Sequence, residues 1–213
     1  MEQKKISKFV LKRLPGYLSY LKSLPDTAPD HISATSLANA LGMGQVQVRK
    51  DLAMVSDGGR PKIGYPRKQL IEDIEQFLGY HNTTDAVLIG AGKLGQALMG
   101  YQGFEEYGLN ILAGFDVNPN ISAEEVGKPV YHIDQLEQFC RANGVLMGII
   151  TVPVEHAQEV ADRLIAGGIK GIWNFAPVHL DVPAGTLVQN INMATSLAVL
   201  SVHLKAQIKE ESR

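Results

Sequence analysis

Apolar residues near the start of the chain recur at helical spacing. Leu11, Leu14, Leu18 and Leu21 fall three, four and three positions apart, the pattern of an amphipathic helix. Pro15 lies inside that stripe, so it either opens the helix proper or kinks it. The polar, lysine-rich residues 1–8 should be frayed, and LPDTAPDH, residues 24–31, reads as a loop. A short helix with a Ser or Thr cap is predicted from Ser33 to Leu41, and a second from Gln45 to Met54, joined by GMG. Gly42 and Gly44 offer the turn conformations that other residues resist. This is a helix-turn-helix pattern. Val46 and Val48 cannot both face inward on one helix; the reading places Val46, Leu52 and Val55 inward, and Gln45, Gln47, Arg49 and Lys50 outward. Leu70, Ile71, Ile74, Phe77 and Leu78 predict a closing helix, and GYHNTT, residues 79–84, a domain boundary.

Beyond Asp85 the pattern changes. Continuous apolar runs at 86–89, 110–115 and 145–151, with shorter ones near 129–131 and 170–173, alternate with helical segments at 93–99, from Asp134, and at 155–166. Unbroken runs suit strands covered on both faces, and the alternation predicts an α/β, doubly wound parallel sheet. A final helix carries Met193, Leu197, Leu200, Leu204 and Ile208, with Ala194, Ala198, Val199 and Val202 on its other faces. A helix apolar nearly all round needs cover on several sides. It is read as a dimer element, exchanged between subunits, or alternatively as a helix on its own sheet. The chain thus divides into residues 1–80, 81–190 and 191–213.

The candidate chemistry sits between the first two runs of the second part. Gly90, Ala91, Gly92, Lys93, Leu94 and Gly95 form G-x-G-x-x-G between a strand and a helix. The first glycine permits the tight turn, the second leaves room for a pyrophosphate, and the third lets helix and strand pack closely. Alone, the spacing also fits an ordinary Gly-rich turn. Asp116, 21 positions after Gly95, ends the next strand, where an acid can hydrogen-bond a ribose 2′-hydroxyl. No Lys or Arg follows at 117–120, which favours NAD(H) over NADP(H). Ligands of such sheets lie beyond the strands' carboxyl ends. Thr151, Val152 and Pro153, and the stretch from Asn174 to Pro177, are therefore candidates for the nicotinamide side, or ordinary strand-end loops.

Charge separates the two parts. Residues 1–70 hold 12 Lys and Arg against 5 Asp and Glu, and residues 71–213 hold 8 against 17. A basic N-terminal part suggests a nucleic-acid-facing module. Arg60, Lys62, Arg67 and Lys68 cluster after the Gly58-Gly59 turn, as a β-wing or a solvated basic loop would. Cys140 is the only cysteine, which excludes an internal disulfide and a multi-cysteine metal site; no metal is expected. No signal peptide and no apolar run near 18 residues is visible, so a soluble, cytoplasmic protein without membrane contact is expected.

The stretches KRLPGYLSYL, SATSLANALGMGQVQVRKDL, IGAGKLGQAL, GYQGFEEYG, AGFDV, GIKGIWNFAPVHLDVP and NINMATSLAVL occur in that order. Over its full length the chain resembles the Rex family of redox-sensing transcriptional repressors. The resemblance implies a homodimer with a winged-helix DNA-binding domain, a Rossmann NAD(H) domain and a last helix swapped into the partner. It implies an inverted-repeat operator in double-stranded DNA, released by NADH and not by NAD+. It places Arg49 and Lys50 on the recognition helix, Gly90 to Gly95 and Asp116 on the dinucleotide, and Tyr101 at the nicotinamide and the dimer switch; with the outward Gln45 and Gln47 and the wing's Arg60, Lys62 and Tyr65, Arg49 and Lys50 are the residues expected toward DNA. Arg13 matches an arginine that pairs with an Asp, here Asn192; a family Glu is here Ser196. The wing, GRPKIGY, also departs from the family's G-[KR]-R-G-x-G-Y, and MVSDG from its usual aromatic, Gly-rich segment. Two other readings stand beside this one. An NAD-dependent dehydrogenase could use His156 or His179 as acid or base, although no Y-x-x-x-K occurs. A DNA-binding regulator could instead sense another nucleotide such as coenzyme A, although Asp116 would meet its 3′-phosphate.

Overall fold

The computed structural model describes residues 7–119 and 127–211 and divides into two compact units, residues 1–82 and 83–213. In the first unit, α1 (Lys8–Ser23) starts at Ser7, whose hydroxyl accepts the Phe9 N–H at 3.3 Å. Residues 7 and 8, predicted to be frayed, are thus the cap and first turn; residues 1–6 lie outside the described residues. The buried stripe of α1 is Val10, Leu14, Tyr17, Leu18 and Leu21, whereas Leu11 is exposed. Leu11 follows Val10 by one position, about 100° round the helix, and so leaves the stripe. Pro15 lies within α1 on its exposed side, so its missing N–H costs no buried hydrogen bond.

β1 (His31–Ile32) leads into α2 (Ala34–Ala40), capped by Ser33, which accepts the Ser36 N–H at 2.9 Å. Gly42, at φ +63°, turns the chain, and Gly44 caps α3 (Gln45–Val55) at an ordinary φ of −70°. Only the first of the two glycines is therefore required by its conformation. α3 buries Val48 and Leu52 completely and leaves Val46 57% exposed, the reverse of the predicted valine assignment. β2 (Tyr65–Pro66) pairs antiparallel with β1, and α4 (Arg67–Leu78) closes the unit against α1. Leu14, Tyr17, Leu37, Val48, Leu52, Leu70 and Ile74 make the core.

The second unit is a six-stranded sheet. Its strands are β3 (Thr84–Ile89), β4 (Leu109–Asp116), β5 (Val130–His132), β6 (Met147–Ile150), β7 (Gly171–Asn174) and β8 (Leu187–Asn190). Their order is β5-β4-β3-β6-β7-β8 and every pairing is parallel. Between them lie α5 (Lys93–Met99), a 3-10 turn at Gln102–Tyr107, α6 (Leu136–Asn143) and α7 (Val154–Ala166). α8 (Met193–Glu211) ends the described chain. Along β3, Val87 and Ile89 enter one apolar layer and Ala86 and Leu88 the other, so both sheet faces are covered, as the unbroken apolar runs require. The strand order reverses between β3 and β6. In such a sheet the crevice for a ligand opens there, at the strands' carboxyl ends.

Candidate nucleotide cleft and nucleic-acid face

Gly90 leaves β3 at φ +99°, where a side chain would be strained, and a Cβ there would meet the Thr151 and Val152 backbone at 2.9 Å. A Cβ on Gly95 would collide with the Gly90 carbonyl oxygen. Gly92 has open space around it, so the middle of the turn faces free volume. The turn's carbonyl oxygens are occupied. The Thr151 hydroxyl lies 2.7 Å from the Gly90 oxygen and 3.0 Å from that of Ile89, and Gln96 Nε2 donates to Ala91 at 2.8 Å. With its acceptors turned away, the segment offers the N–H groups of the α5 start to an anion. One of the turn's N–H groups, that of Ala91, goes to Asp116 Oδ2 at 2.7 Å, while Asp116 Oδ1 takes the Asn118 N–H at 2.9 Å. The carboxylate thus stands at the turn with lone pairs left over. Gly90, Gly92, Asp116, Thr151, Val152 and Pro153 line one cleft of about 390 Å³ at the carboxyl ends of β3, β4 and β6. Lys93 and Leu94 are exposed at the start of α5.

The cleft also holds Val117, Ile133, Glu159 and Arg163, which the sequence did not single out, and His156, the candidate acid or base of the dehydrogenase reading. Val117 follows the end of β4, Ile133 precedes α6, and His156, Glu159 and Arg163 lie on α7. Arg163 is held by Glu137, Nε to Oε1 at 2.6 Å, and by the Ile133 carbonyl at 3.0 Å. That hydrogen bond holds the Glu137 carboxyl below the ordinary carboxylate range, against the opposing effect of burial.

Asn174 is a correction. It is fully buried; its Nδ2 donates to Val178 O at 3.0 Å and Asn190 Oδ1 at 2.8 Å, and its Oδ1 accepts the Ala176 N–H at 3.0 Å. The side chain braces the β7 exit against β8 and is not among the cleft residues. Tyr101 is also placed away from the cleft. It is 53% exposed before the 3-10 turn, its ring edge-on to Phe104 at 4.9 Å. Cys140 is buried, and burial pushes its thiol up to about 11, so it stays protonated and poorly reactive. Among the described residues no group of three or more His, Cys, Asp or Glu gathers to hold a metal, and no helix is long and apolar enough to cross a membrane.

In the first unit Gln45, Gln47, Arg49 and Lys50 are all exposed on α3. The turn lies not at Gly58-Gly59 but within Arg60–Gly64, where Arg60 and Gly64 exchange N–H···O bonds of 2.9 Å and Lys62 adopts φ +66°. Gly64 sits at φ +95° with the Ile32 carbonyl where a Cβ would be, so glycine is required at the wing's base. Arg60 and Lys62 are exposed. Tyr65, predicted toward DNA, is buried at 8% exposure because β2 turns its ring into the core under Gly59. Arg67, predicted with the basic cluster, is also buried and donates to Pro25 O at 2.9 Å. Asp51 is a further buried charge on α3 that the sequence pattern does not single out. It is 3% exposed and accepts from Arg13 Nε at 2.7 Å, Arg13 Nη2 at 2.9 Å and the Tyr17 hydroxyl at 2.8 Å. Burial, then the bond to Asp51, pushes the Tyr17 phenol up to about 12.

Residues 81–178 match a family model described as "CoA binding domain", and residues 5–53 one described as "Putative DNA-binding protein N-terminus". The redox-sensing transcriptional repressor Rex of Porphyromonas gingivalis is 42% identical, over 95% of this chain and 93% of its own. That of Clostridium botulinum (strain Eklund 17B / Type B) is 40% identical over 97% and 99%. This chain belongs to the Rex family. Among solved structures, the Rex-family repressor RSP with β-NAD+ and operator DNA superposes with a TM-score of 0.87 at 33% identity, over 99% of this chain and 97% of that one. RSP with β-NADH gives 0.86 at 32%, over 99% and 100%. The similarity to Rex proteins spans both units, so helix-turn-helix and dinucleotide turn belong to one family pattern. The Rex relatives are named as repressors, not enzymes.

Proposed function

We propose that this protein is a cytoplasmic, homodimeric repressor that binds an inverted-repeat operator and is released by NADH. One observation carries the reading. The chain joins a helix exposing Gln45, Gln47, Arg49 and Lys50 to a dinucleotide turn closed by Asp116. The residues fit the dinucleotide: Gly92 leaves the turn open, and Asp116 keeps acceptor capacity for a ribose hydroxyl. Bound there, the nucleotide supplies a ligand whose two redox forms differ in charge and ring shape. Cys140, buried and protonated, is unsuited to sense redox state itself. Arg49, Lys50, Arg60 and Lys62 supply phosphate and base contacts, two-fold symmetry supplies the inverted repeat, and Arg13, Tyr101 and Asn192 form the switch.

The protein acts by binding rather than catalysis. His156 reaches the cleft, but among the described residues no second acid or base is bonded to it to form a proton-transfer pair. Coenzyme A fits less well than NAD(H), because its 3′-phosphate would meet the Asp116 charge. The test is selection from random-sequence DNA, followed by titration of the selected site with NADH, NAD+ and coenzyme A. We expect a symmetric site that NADH weakens and the other two do not. Arg49→Ala or Lys50→Ala should lower affinity about five- to hundredfold if each reads a base. An asymmetric site, or unchanged binding by both variants, would overturn the reading.

A further inference from the structure

Gln47 faces solvent on α3, but its amide is not free to choose a base. A free glutamine both donates and accepts, and typically reads adenine by bonding N6 and N7 together. Arg13 removes that freedom. The guanidinium is clamped from behind by Asp51, which is itself buried and further bonded by Tyr17. Gln47 stands one helical turn before Asp51, on the same face of α3. With the amide turned so that its oxygen faces the guanidinium, that oxygen accepts from Arg13 Nη2 at 3.0 Å and Nη1 at 3.1 Å. The reversed amide would set its NH2 group against a guanidinium that has donors only, so chemistry fixes the orientation. Both lone pairs of the Gln47 oxygen are then used, and only N–H groups remain to face outward.

We infer that Arg13 is a positioning residue that makes Gln47 a donor-only reader, specifying guanine and rejecting adenine at one base pair of each half-site. Guanine offers two acceptors, N7 and O6, to such a group, whereas adenine sets its own N6 donor against it. The inference rests on the reading that α3 enters the major groove. Hydrogen exchange of the α1 and α3 amides serves as the control on folding of the first unit.

The experiment is DNA selection, and affinity for single-base variants of the selected site, using the full-length protein without NADH. The natural protein is compared with Gln47→Ala, Gln47→Glu and Arg13→Lys. Gln47→Ala should lose discrimination at one base pair, and that pair should be G·C, favoured about tenfold or more over A·T. Gln47→Glu keeps the Arg13 contact but has no N–H for guanine N7 and O6, so the preference for G·C over both C·G and A·T should disappear. Arg13→Lys keeps a charge for Asp51 but not the fork that fills both lone pairs, so G·C and A·T should come within about threefold of each other. Should Arg13→Lys fail to fold, Gln47→Glu alone decides. The inference is overturned if the Gln47-dependent pair is A·T, if Gln47→Ala alters no position, or if either polar variant keeps the G·C preference. If the natural protein selects no site at all, the DNA-binding reading fails and takes the inference with it.

Discussion

Asp116 should set both the affinity and the identity of the nucleotide. Its carboxylate is half-buried at the cleft wall, fixed by the Ala91 and Asn118 N–H groups at 2.7 and 2.9 Å. Two contributions separate NADH from NADPH there. A hydrogen bond from a ribose hydroxyl to a charged acceptor contributes roughly 1.5–3 kcal/mol. A 2′-phosphate carries about −1.5 to −2 charges. At about 5 Å from the carboxylate, with an effective dielectric between about 20 and 80, Coulomb repulsion is on the order of 1–7 kcal/mol. Asp116 is open to water on the cleft side, so the lower end, about 1–2 kcal/mol, is the relevant one. NADH should therefore bind at least about tenfold tighter than NADPH, since 1.4 kcal/mol is tenfold.

Asp116→Ala removes both contributions and also frees the Ala91 N–H, which loosens the turn for either nucleotide. The ratio is thus the diagnostic, not the NADH affinity alone. Calorimetric titration should show NADH weakened about tenfold or more and the NADH-to-NADPH ratio brought within about threefold. Asp116→Asn keeps the size and one acceptor without the charge, so it should relieve the NADPH penalty while preserving part of the NADH affinity. Equal affinity of the natural protein for both nucleotides, or a ratio unmoved by both variants, would refute the argument.

Arg13→Ala should destabilise the first unit by about 3 kcal/mol, because it strands a buried carboxylate, and Asp51→Ala by less, because Arg13 can turn to water; hydrogen exchange of α1 and α3 amides ranks them, and the opposite order would be contrary. Because Glu137 is held below its ordinary pKa by Arg163, that pair contributes stability above about pH 4.5 and loses it as pH falls from there through the lowered value. Acid unfolding followed by Trp173 fluorescence should therefore be shallower in Glu137→Gln. Asn192 accepts the Thr195 N–H at 3.1 Å at the start of α8, and an Asp can do the same. Asn192→Asp should deepen the NADH effect on operator affinity by about fivefold, read at zero and saturating NADH. Leu200→Glu on α8 should convert dimer to monomer by sedimentation and abolish tight operator binding.

The nucleotide turn was legible because everything it needs is local: three glycines, one helix start and an acid at the next strand's end. The errors lie where the deciding partner is distant in sequence. Val46 and Val48 are about 200° apart on α3, so only one can be buried, and packing against α1, α2 and α4 chooses Val48. Asn174 looked like a ligand at a strand end; its true partner, Asn190, is on β8. That strand has an exposed Leu187 and no apolar alternation, so nothing in the pattern announced it. Asp51 read as one charge in a basic helix, since its partner Arg13 is 38 residues away. Tyr65 and Arg67 carry DNA-binding chemistry in type, but the short β1–β2 ladder and the start of α4 bury both.

α8 is where pattern and single-chain structure disagree most usefully. Leu197, Val199, Leu200, Val202, Leu204 and Ile208 are each 52–65% exposed, on several faces of one helix. Fully burying such a side chain contributes about 1.5–3 kcal/mol, so covering what is now exposed corresponds to several kcal/mol across the six. A helix that packed on its own sheet would have taken that stabilisation with one face and left polar residues on the other. This one has no polar face over those positions, so one layer of cover would leave apolar surface exposed; in the proposed dimer a second copy, with its own α8, would supply cover on two sides at once. A dimer held this way also gives the nucleotide something to act on. A ligand shifts an equilibrium only by its different affinities for two arrangements, and in the proposed dimer a shared helix would provide them. The coupling required is modest, about 1–3 kcal/mol, which is smaller than the burial at stake on α8.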